Sequence, residues 1–259
     1  MVRVALVQVR IDDDESVADR VDRVCRQVAG LRAQVDLVVL PELWPVGAFN
    51  TERMVAHAEP IGSGFRARMS ALAGELGAVL HAGSFPERHD SGVSNTSLIF
   101  ASDGSLLATY RKMHLFGFDR GEAVTMAAGV TPEVVDTALG VTGLTTCYDL
   151  RFPELYRRLV QLGAQSFVVP AGWPSARIGH WEVLLKARAI ENQAVVLGVN
   201  CVGTNGGVSM GGGSLAVAAD GTVLAQAGSE EQTLLIDIEP FDTLRWRKEF
   251  PALKDRRLM

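Results

Sequence analysis

The sequence predicts an α/β fold, a four-layer αββα sandwich made of two similar halves. Three features lead to that reading. Short apolar or alternating runs of strand character recur along the chain, and stretches with helical periodicity separate them. No linker or low-complexity segment interrupts the pattern, so residues 1–259 read as a single domain. The chain also echoes itself: residues 39–44 read VLPELW and residues 168–173 read VVPAGW, while 101–108 read ASDGSLLA and 218–225 read AADGTVLA. The order is the same in both halves. Two similar α–β units bury their apolar surface well when their sheets pack face to face with helices outside.

Strands are predicted in order at 2–9, 35–40, 78–85, 96–100, 105–110, 141–146, 165–169, 194–200, 214–218, 222–225 and 234–237. An Asp-Gly pair at 103–104 and another at 220–221 mark a hairpin turn in each half. The first helix carries Val17, Val21, Val24, Val28 and Leu31 on one stripe. Asp12, Asp13, Asp14 and Glu15 precede it, as expected where negative charge meets the positive end of a helix. A second helix is predicted at 64–76. A third opens at Pro153, which suits a first turn, and carries Leu155, Leu159 and Leu162. A fourth, 180–192, is apolar on two faces: Trp181, Leu184 and Leu185 on one, Val183, Ala187 and Ile190 on the other. One sheet covers one face, so the other is expected to meet a further layer or a partner subunit. A homodimer or larger homo-oligomer is expected, with the basic stretch 245–257 adding to the contact.

Composition narrows the function. With 47% hydrophobic and 21% charged residues the chain can build a substantial core, and a formal charge of −5 gives no electrostatic basis for binding nucleic acid. No apolar run approaches the roughly 18 residues that a membrane helix needs. The opening MVRVALVQVR alternates like a strand and lacks the apolar core and cleavage site of a signal peptide. Cys25, Cys147 and Cys201 are too few and too scattered for a disulfide framework or a zinc site. A reducing, cytoplasmic setting is expected. His57, His81, His89, His114 and His180 show no ligand-like spacing, so no metal is expected. The glycine-rich run 206–213 lacks the Lys-Ser/Thr of a phosphate loop and precedes a strand, so it reads first as a flexible loop, with active-site lining as the secondary reading.

Cys147 stands out by its setting. GLTTCYDLRFPELYRRL reads as strand, sharp turn, helix. A cysteine there lies near a helix N-terminus, which favours a thiolate, and the next backbone N–H is placed to hold an oxyanion. The other reading is a buried, inert cysteine. A nucleophile needs a base and a charge stabiliser. Glu42, just past the strand in VVLPELW, and Lys112, just past the strand in LLATYRK, are the candidates; a turn-capping acid and a solvated lysine are their structural alternatives.

Together LPELW at 40–44, YRKMHLF at 110–116 and CYDLRFPELYR at 147–157 resemble the nitrilase, or carbon–nitrogen hydrolase, superfamily. VALVQ near the start, HWEVLLKARAIENQ at 180–193 and FPALKDRR at 250–257 extend the likeness over nearly the whole chain. The resemblance implies an αββα sandwich, no cofactor, and hydrolysis of non-peptide C–N bonds through a thioester on Cys147, with Glu42 as base and Lys112 as oxyanion partner. It also implies a second glutamate after the lysine, for which Glu122 in GFDRGEAVTMAAG is the best match. CYDLRF and the GWPxxR-x-x-HW pattern are most similar to the small-amidase branch, which includes ω-amidases and deaminated-glutathione amidases. The expected substrate is a small amide bearing a carboxylate, received by Arg151 and with it Arg177 as planar donors; the other reading is a structural arginine that ties the nucleophile loop to neighbouring backbone, and Tyr148 and Trp173 either line the pocket or belong to the core. An N-carbamoyl-amine hydrolase or a nitrilase would use the same residues with a different pocket. A catalytically silent binding subunit would keep the fold alone.

Overall fold

Strand β1 (Val2–Gln8) turns Val4 and Leu6 to one side and Ala5 and Val7 to the other, and all four are fully buried. A strand with two apolar faces belongs in the interior of a layered structure. The computed structural model, which describes residues 1–258, places it there. β1 pairs in parallel with β2 (Leu37–Val39), and β2 with β3 (Val79–His89). β3 then runs antiparallel to β4 (Gly92–Phe100), and β4 to β5 (Leu106–Arg111). The second half repeats this. β7 (Gly140–Leu144), β8 (Ser166–Pro170) and β9 (Val195–Val199) are parallel; β12 (Leu215–Val217) and β13 (Val223–Gln226) come next, antiparallel. Each sheet gains a sixth, antiparallel strand beside its first: β14 (Gln232–Ile238) next to β1, and β6 (Val134–Thr137) next to β7. A short hairpin, β10 (Thr204–Asn205) and β11 (Val208–Ser209), stands apart.

The echo in the sequence is therefore an echo in strand pairing. VLPELW ends β2 and VVPAGW ends β8, the middle parallel strand of each sheet, and the two Asp-Gly turns join β4 to β5 and β12 to β13. The two sheets pack face to face through Val4, Leu6, Leu37 and Val39 against Val168, Val195, Leu197 and Val199. Helices α1 (Val17–Ala29) and α3 (Gly64–Leu76) cover one outer face. α5 (Pro153–Gln161) and α6 (Ile178–Asn192) cover the other. The four layers match the fold expected.

Several elements had no legible signal. α2 (Thr51–Ala56) and α4 (Glu122–Thr125) are too short to show a period, and α7 (Asp242–Glu249) buries only Thr243, so it carries no apolar stripe. The acidic run does not sit on the helix dipole as expected. Ser16 caps α1, while Asp12 and Asp13 accept the backbone N–H groups of Thr204 and Gly206, and Glu15 pairs with Arg20 and Arg23. The acids tie down the 204–209 hairpin across the chain. The basic C-terminal stretch docks on its own subunit: Arg247 donates to the carbonyls of Gln193 and Ala164. These contacts hold the last turn of α7 against the ends of α6 and β8.

A bulge in β3 positions the turn after β2. The β3–β4 register shifts between His81 and Ser84, where Gly83 takes φ +66°. The bulge lets the Ala82 carbonyl accept Trp44 Nε1–H at 2.9 Å and Ser84 Oγ accept the Leu43 N–H at 2.8 Å. A Cβ on Gly83 would lie 2.1 Å from the Pro41 oxygen and 2.8 Å from the Trp44 ring, and neither can yield without moving the turn that carries Glu42. Gly83→Ala is expected to lose clearly more stability than Gly77→Ala. Gly77 is also left-handed, but its added Cβ meets nothing within 4 Å, which leaves only the conformational cost of about 1–2 kcal/mol. Denaturant titration of both variants checks this; equal midpoints would show that the bulge tolerates a side chain.

Candidate active site

Four segments from both halves end at one place. Glu42 follows β2, Lys112 follows β5, Cys147 follows β7, and Gly172 follows β8. The parallel strands all deliver their carboxyl ends here, where a layered α/β fold offers a crevice. Leu43, next to Glu42, takes φ +43°, and Cys147 takes φ +48°. Non-glycine residues rarely adopt this left-handed conformation, and they hold it only where the surroundings enforce it.

The Lys112 ammonium is buried between two carboxylates. Its Nζ lies 2.7 Å from Glu42 Oε1 and 2.5 Å from Glu122 Oε2. Asn95 Nδ2 donates to both acids as well, at 2.8 Å to Glu42 and 2.7 Å to Glu122. Backbone completes the set: Gly172 N–H donates to Glu42 Oε2 at 2.9 Å, and Phe116 N–H to Glu122 Oε2 at 3.1 Å. Burial works against the lysine charge. Glu122 and then Glu42 overcome it and hold the ammonium well above its ordinary pKa. Glu122 is pushed up by burial, with the second carboxylate adding and Lys112 opposing.

Cys147 opens a turn of 3-10 helix, Cys147–Arg151, and α5 begins only at Pro153. This corrects one expectation. Cys147 does stand at a helix start, but the helix is one short 3-10 turn, and the setting does not favour the thiolate as expected. Burial and then the Glu42 carboxylate push its pKa well up, with Lys112 partly opposing. Burial and the neighbouring carboxylate both favour the protonated thiol over the thiolate. The Tyr148 N–H lies in the first turn of that short helix, where backbone donors have no acceptor within the helix.

Glu42, Lys112, Glu122 and Cys147 line one cleft, together with Tyr148, Arg151, Trp173 and Arg177. Every residue singled out from the sequence as a site candidate borders it. Phe116, Phe49 and Trp173 make the walls apolar. The Arg151 guanidinium lies 4.8 Å over the Trp173 ring, and Arg177 lies 5.4 Å over Phe116. Arg151 Nη2 is 3.3 Å from His180 Nδ1. Among the described residues, no carboxylate is within ion-pair distance of either arginine. The mouth widens past Phe118, Arg120, Gly206 and Val208, so the glycine-rich run does border the entrance.

Two site residues went unread. Asn95 lies in the polar first half of strand β4, Ser94–Ser97, where nothing along the chain separates it from its neighbours, and its inward place among the two acids is set by β3–β4–β5 pairing. Gly172 was visible in the VVPAGW echo, but not its backbone contact with Glu42.

Residues 3–248 match the sequence profile of the family described as carbon-nitrogen hydrolase. The chain is 44% identical to the 2-oxoglutaramate amidase of Paenarthrobacter nicotinovorans, over 98% of this chain and 89% of that one. The structure superposes with a TM-score of 0.91 on a CN-hydrolase superfamily protein from Xanthomonas campestris that carries an arsenic adduct in its active site; the two are 33% identical, over 100% and 98% of their lengths. It superposes with a TM-score of 0.80 on a mutant amidase from Nesterenkonia sp. AN1 with acrylamide added to its active-site cysteine, at 26% identity over 98% and 100%. A buried glutamate, lysine and cysteine on this sandwich, and the match over nearly all of its length, place the chain in the carbon–nitrogen hydrolase family.

Proposed function

We propose that this enzyme hydrolyses a small primary amide whose far end carries a carboxylate, releasing ammonia and a carboxylic acid through a thioester on Cys147. The observation that carries the reading is the convergence of a buried Glu42–Lys112–Glu122 set on the Cys147 cleft, with two unpaired arginines at its mouth. In this mechanism Glu42 takes the Cys147 proton as sulfur adds to the amide carbon. The carbonyl oxygen becomes an oxyanion held by the Lys112 ammonium and the Tyr148 N–H. The C–N bond breaks as Glu42 passes its proton to the departing nitrogen, which leaves as ammonia. Glu42 then takes a proton from water, the hydroxide adds to the thioester, and the C–S bond breaks to give the acid. The proton returns to sulfur. Glu122 keeps Lys112 charged and in place.

Arg151 and Arg177 supply the carboxylate end. Each guanidinium lies over an aromatic ring, which supports the cation while leaving its N–H groups for a carboxylate. 2-Oxoglutaramate, with an amide at one end and a 2-oxo acid at the other, is a substrate of this kind, and the Paenarthrobacter relative named for it supports the reading.

The homodimer is the assembly this surface supports. Val183 is 66% exposed and Ile190 56% exposed on the outer face of α6. Three free cysteines suit a reducing compartment such as the cytoplasm.

Cys147→Ala is expected to abolish ammonia release, and Glu42→Gln to lower kcat by about 10²–10⁴-fold. Cys25→Ala and Cys201→Ala should keep activity. Because the resting thiol is protonated, alkylation of Cys147 by iodoacetamide should rise with pH without levelling off between pH 6 and 8. A plateau there would mean a preformed thiolate and a different base.

Removing the engaged arginine should cost the acid substrate, relative to its methyl ester, about 10–150-fold in kcat/KM. Arg151→Ala and Arg177→Ala measured on that pair decide which guanidinium binds. An unchanged preference in both and in the double variant would make the arginines structural and favour a neutral amide. Light scattering at micromolar concentration should give twice the chain mass, and Ile190→Asp should halve it; a wild-type monomer rejects the dimer.

A further inference from the structure

We propose that Asp149 is a positioning residue that sets the Cys147 thiol against the Lys112 ammonium. The proposal rests on reading Cys147 as the nucleophile and Lys112 as its oxyanion partner. Asp149 is fully buried and lies outside the cleft, so it acts through its neighbours. Its Oδ2 accepts the Thr146 N–H at 2.9 Å and the Tyr110 O–H at 2.7 Å. Its Oδ1 accepts the His114 N–H at 3.0 Å and lies 2.7 Å from His114 Nδ1. Tyr110 and His114 stand two residues either side of Lys112, and Thr146 and Asp149 bracket Cys147. One carboxylate therefore ties the end of β5, in the first sheet, to the turn after β7, in the second.

The turn needs such a tie. Cys147 is held at φ +48°, and a residue in that region stays there only when it is over-determined. Asp149 grips the chain on one side of the cysteine through Thr146. On the other side its backbone carbonyl accepts the Phe152 N–H at 3.0 Å, and the Phe152 ring stacks on His114 at 3.8 Å. Arg188 donates twice to the Leu150 carbonyl and anchors the same turn to α6. Of these contacts, those of Asp149 and the Phe152–His114 stack reach the lysine segment.

The chemistry calls for a carboxylate rather than an amide. Two of the donors are backbone N–H groups, which cannot reverse. An asparagine, whichever way it faced, would turn its NH2 toward one of them and release one arm. Tyr110→Phe is the gentler cut: it keeps the buried ring and removes only the arm from β5.

Three variants test the proposal: Asp149→Asn, Tyr110→Phe, and Leu159→Ala as a core truncation that does not line the cleft. Each is assayed for kcat and KM by ammonia release, and for the pH profile of Cys147 alkylation by mass spectrometry, on protein shown to be folded by its melting curve. Asp149→Asn is expected to lower kcat by about 10–100-fold, the scale of a small misplacement of reacting groups, with KM changed by less than about threefold. Its alkylation profile should move to higher pH, since the thiolate loses part of the Lys112 field. Tyr110→Phe should shift both readouts the same way by a smaller factor. Leu159→Ala should melt earlier and keep kcat and profile. If Asp149→Asn does not fold, Tyr110→Phe decides. Folded variants that keep kcat and profile within twofold overturn the proposal, as does a Leu159→Ala enzyme that loses kcat equally. If the wild type releases no ammonia from any amide, the functional reading fails, and the alkylation profiles alone still decide the role of Asp149.

Discussion

A lysine ammonium with 1% of its side chain exposed cannot keep its charge unless the protein replaces the water it has lost, and at Lys112 the replacement is two carboxylates. That solution creates its own demand, because two acids around one base leave a surplus negative charge in the interior. Asn95, the Gly172 N–H and the Phe116 N–H meet it, all donating to Glu42 or Glu122. Loss of any one partner would leave a buried charge or polar group uncompensated, a far larger penalty than the net worth of the contact. The surrounding backbone is consequently constrained from both sheets at once. The same surplus charge acts on the nearby thiol: after burial, the Glu42 carboxylate contributes most to raising the Cys147 pKa.

Strain is the second consequence. Leu43 and Cys147, each at the end of a parallel strand, adopt left-handed backbone that neither side chain prefers. Each is secured by a device with no part in the chemistry. For Leu43 it is the β3 bulge, through Ser84 and the Ala82 carbonyl that takes the Trp44 indole. For Cys147 it is the Asp149 carboxylate and its four donor contacts. Such strain holds a reactive group in a single orientation, which is what a site needs if its partners come from three distant segments.

The entrance is organised on another principle. Arg151 and Arg177 face the cleft without acidic partners, yet neither is loose, because Trp173 and Phe116 provide flat surfaces for the guanidinium planes. Cationic forks backed by aromatic rings, above an apolar throat, fit a substrate that is anionic at one end and neutral at the other. Charge separation along the cleft also keeps a substrate carboxylate away from Glu42 and Glu122, which would repel it.

Much of this was legible in the residues. Alternation and apolar runs located the strands of the two six-stranded sheets other than β6, because a strand buried on both faces must be apolar there, as β9 and residues 4–7 of β1 are. The VLPELW/VVPAGW and Asp-Gly echoes disclosed two like halves, since equivalent strands in equivalent sheets carry equivalent burial. The resemblance around Glu42, Lys112 and Cys147 pointed to the chemistry. What the sequence left open depended on distance in space rather than along the chain. That Asn95 holds both acids, that Gly172 meets Glu42, that Asp149 joins two sheets, and that Asp12 and Asp13 pin a hairpin near residue 205 are all facts of strand order and register. The sequence alone determined which residues are apolar, which can react, and in what order they come. Only the tertiary structure decided the ionisation of the site. A pKa answers to burial and to charges within a few ångströms, and those neighbours lie from ten to more than a hundred residues away along the chain.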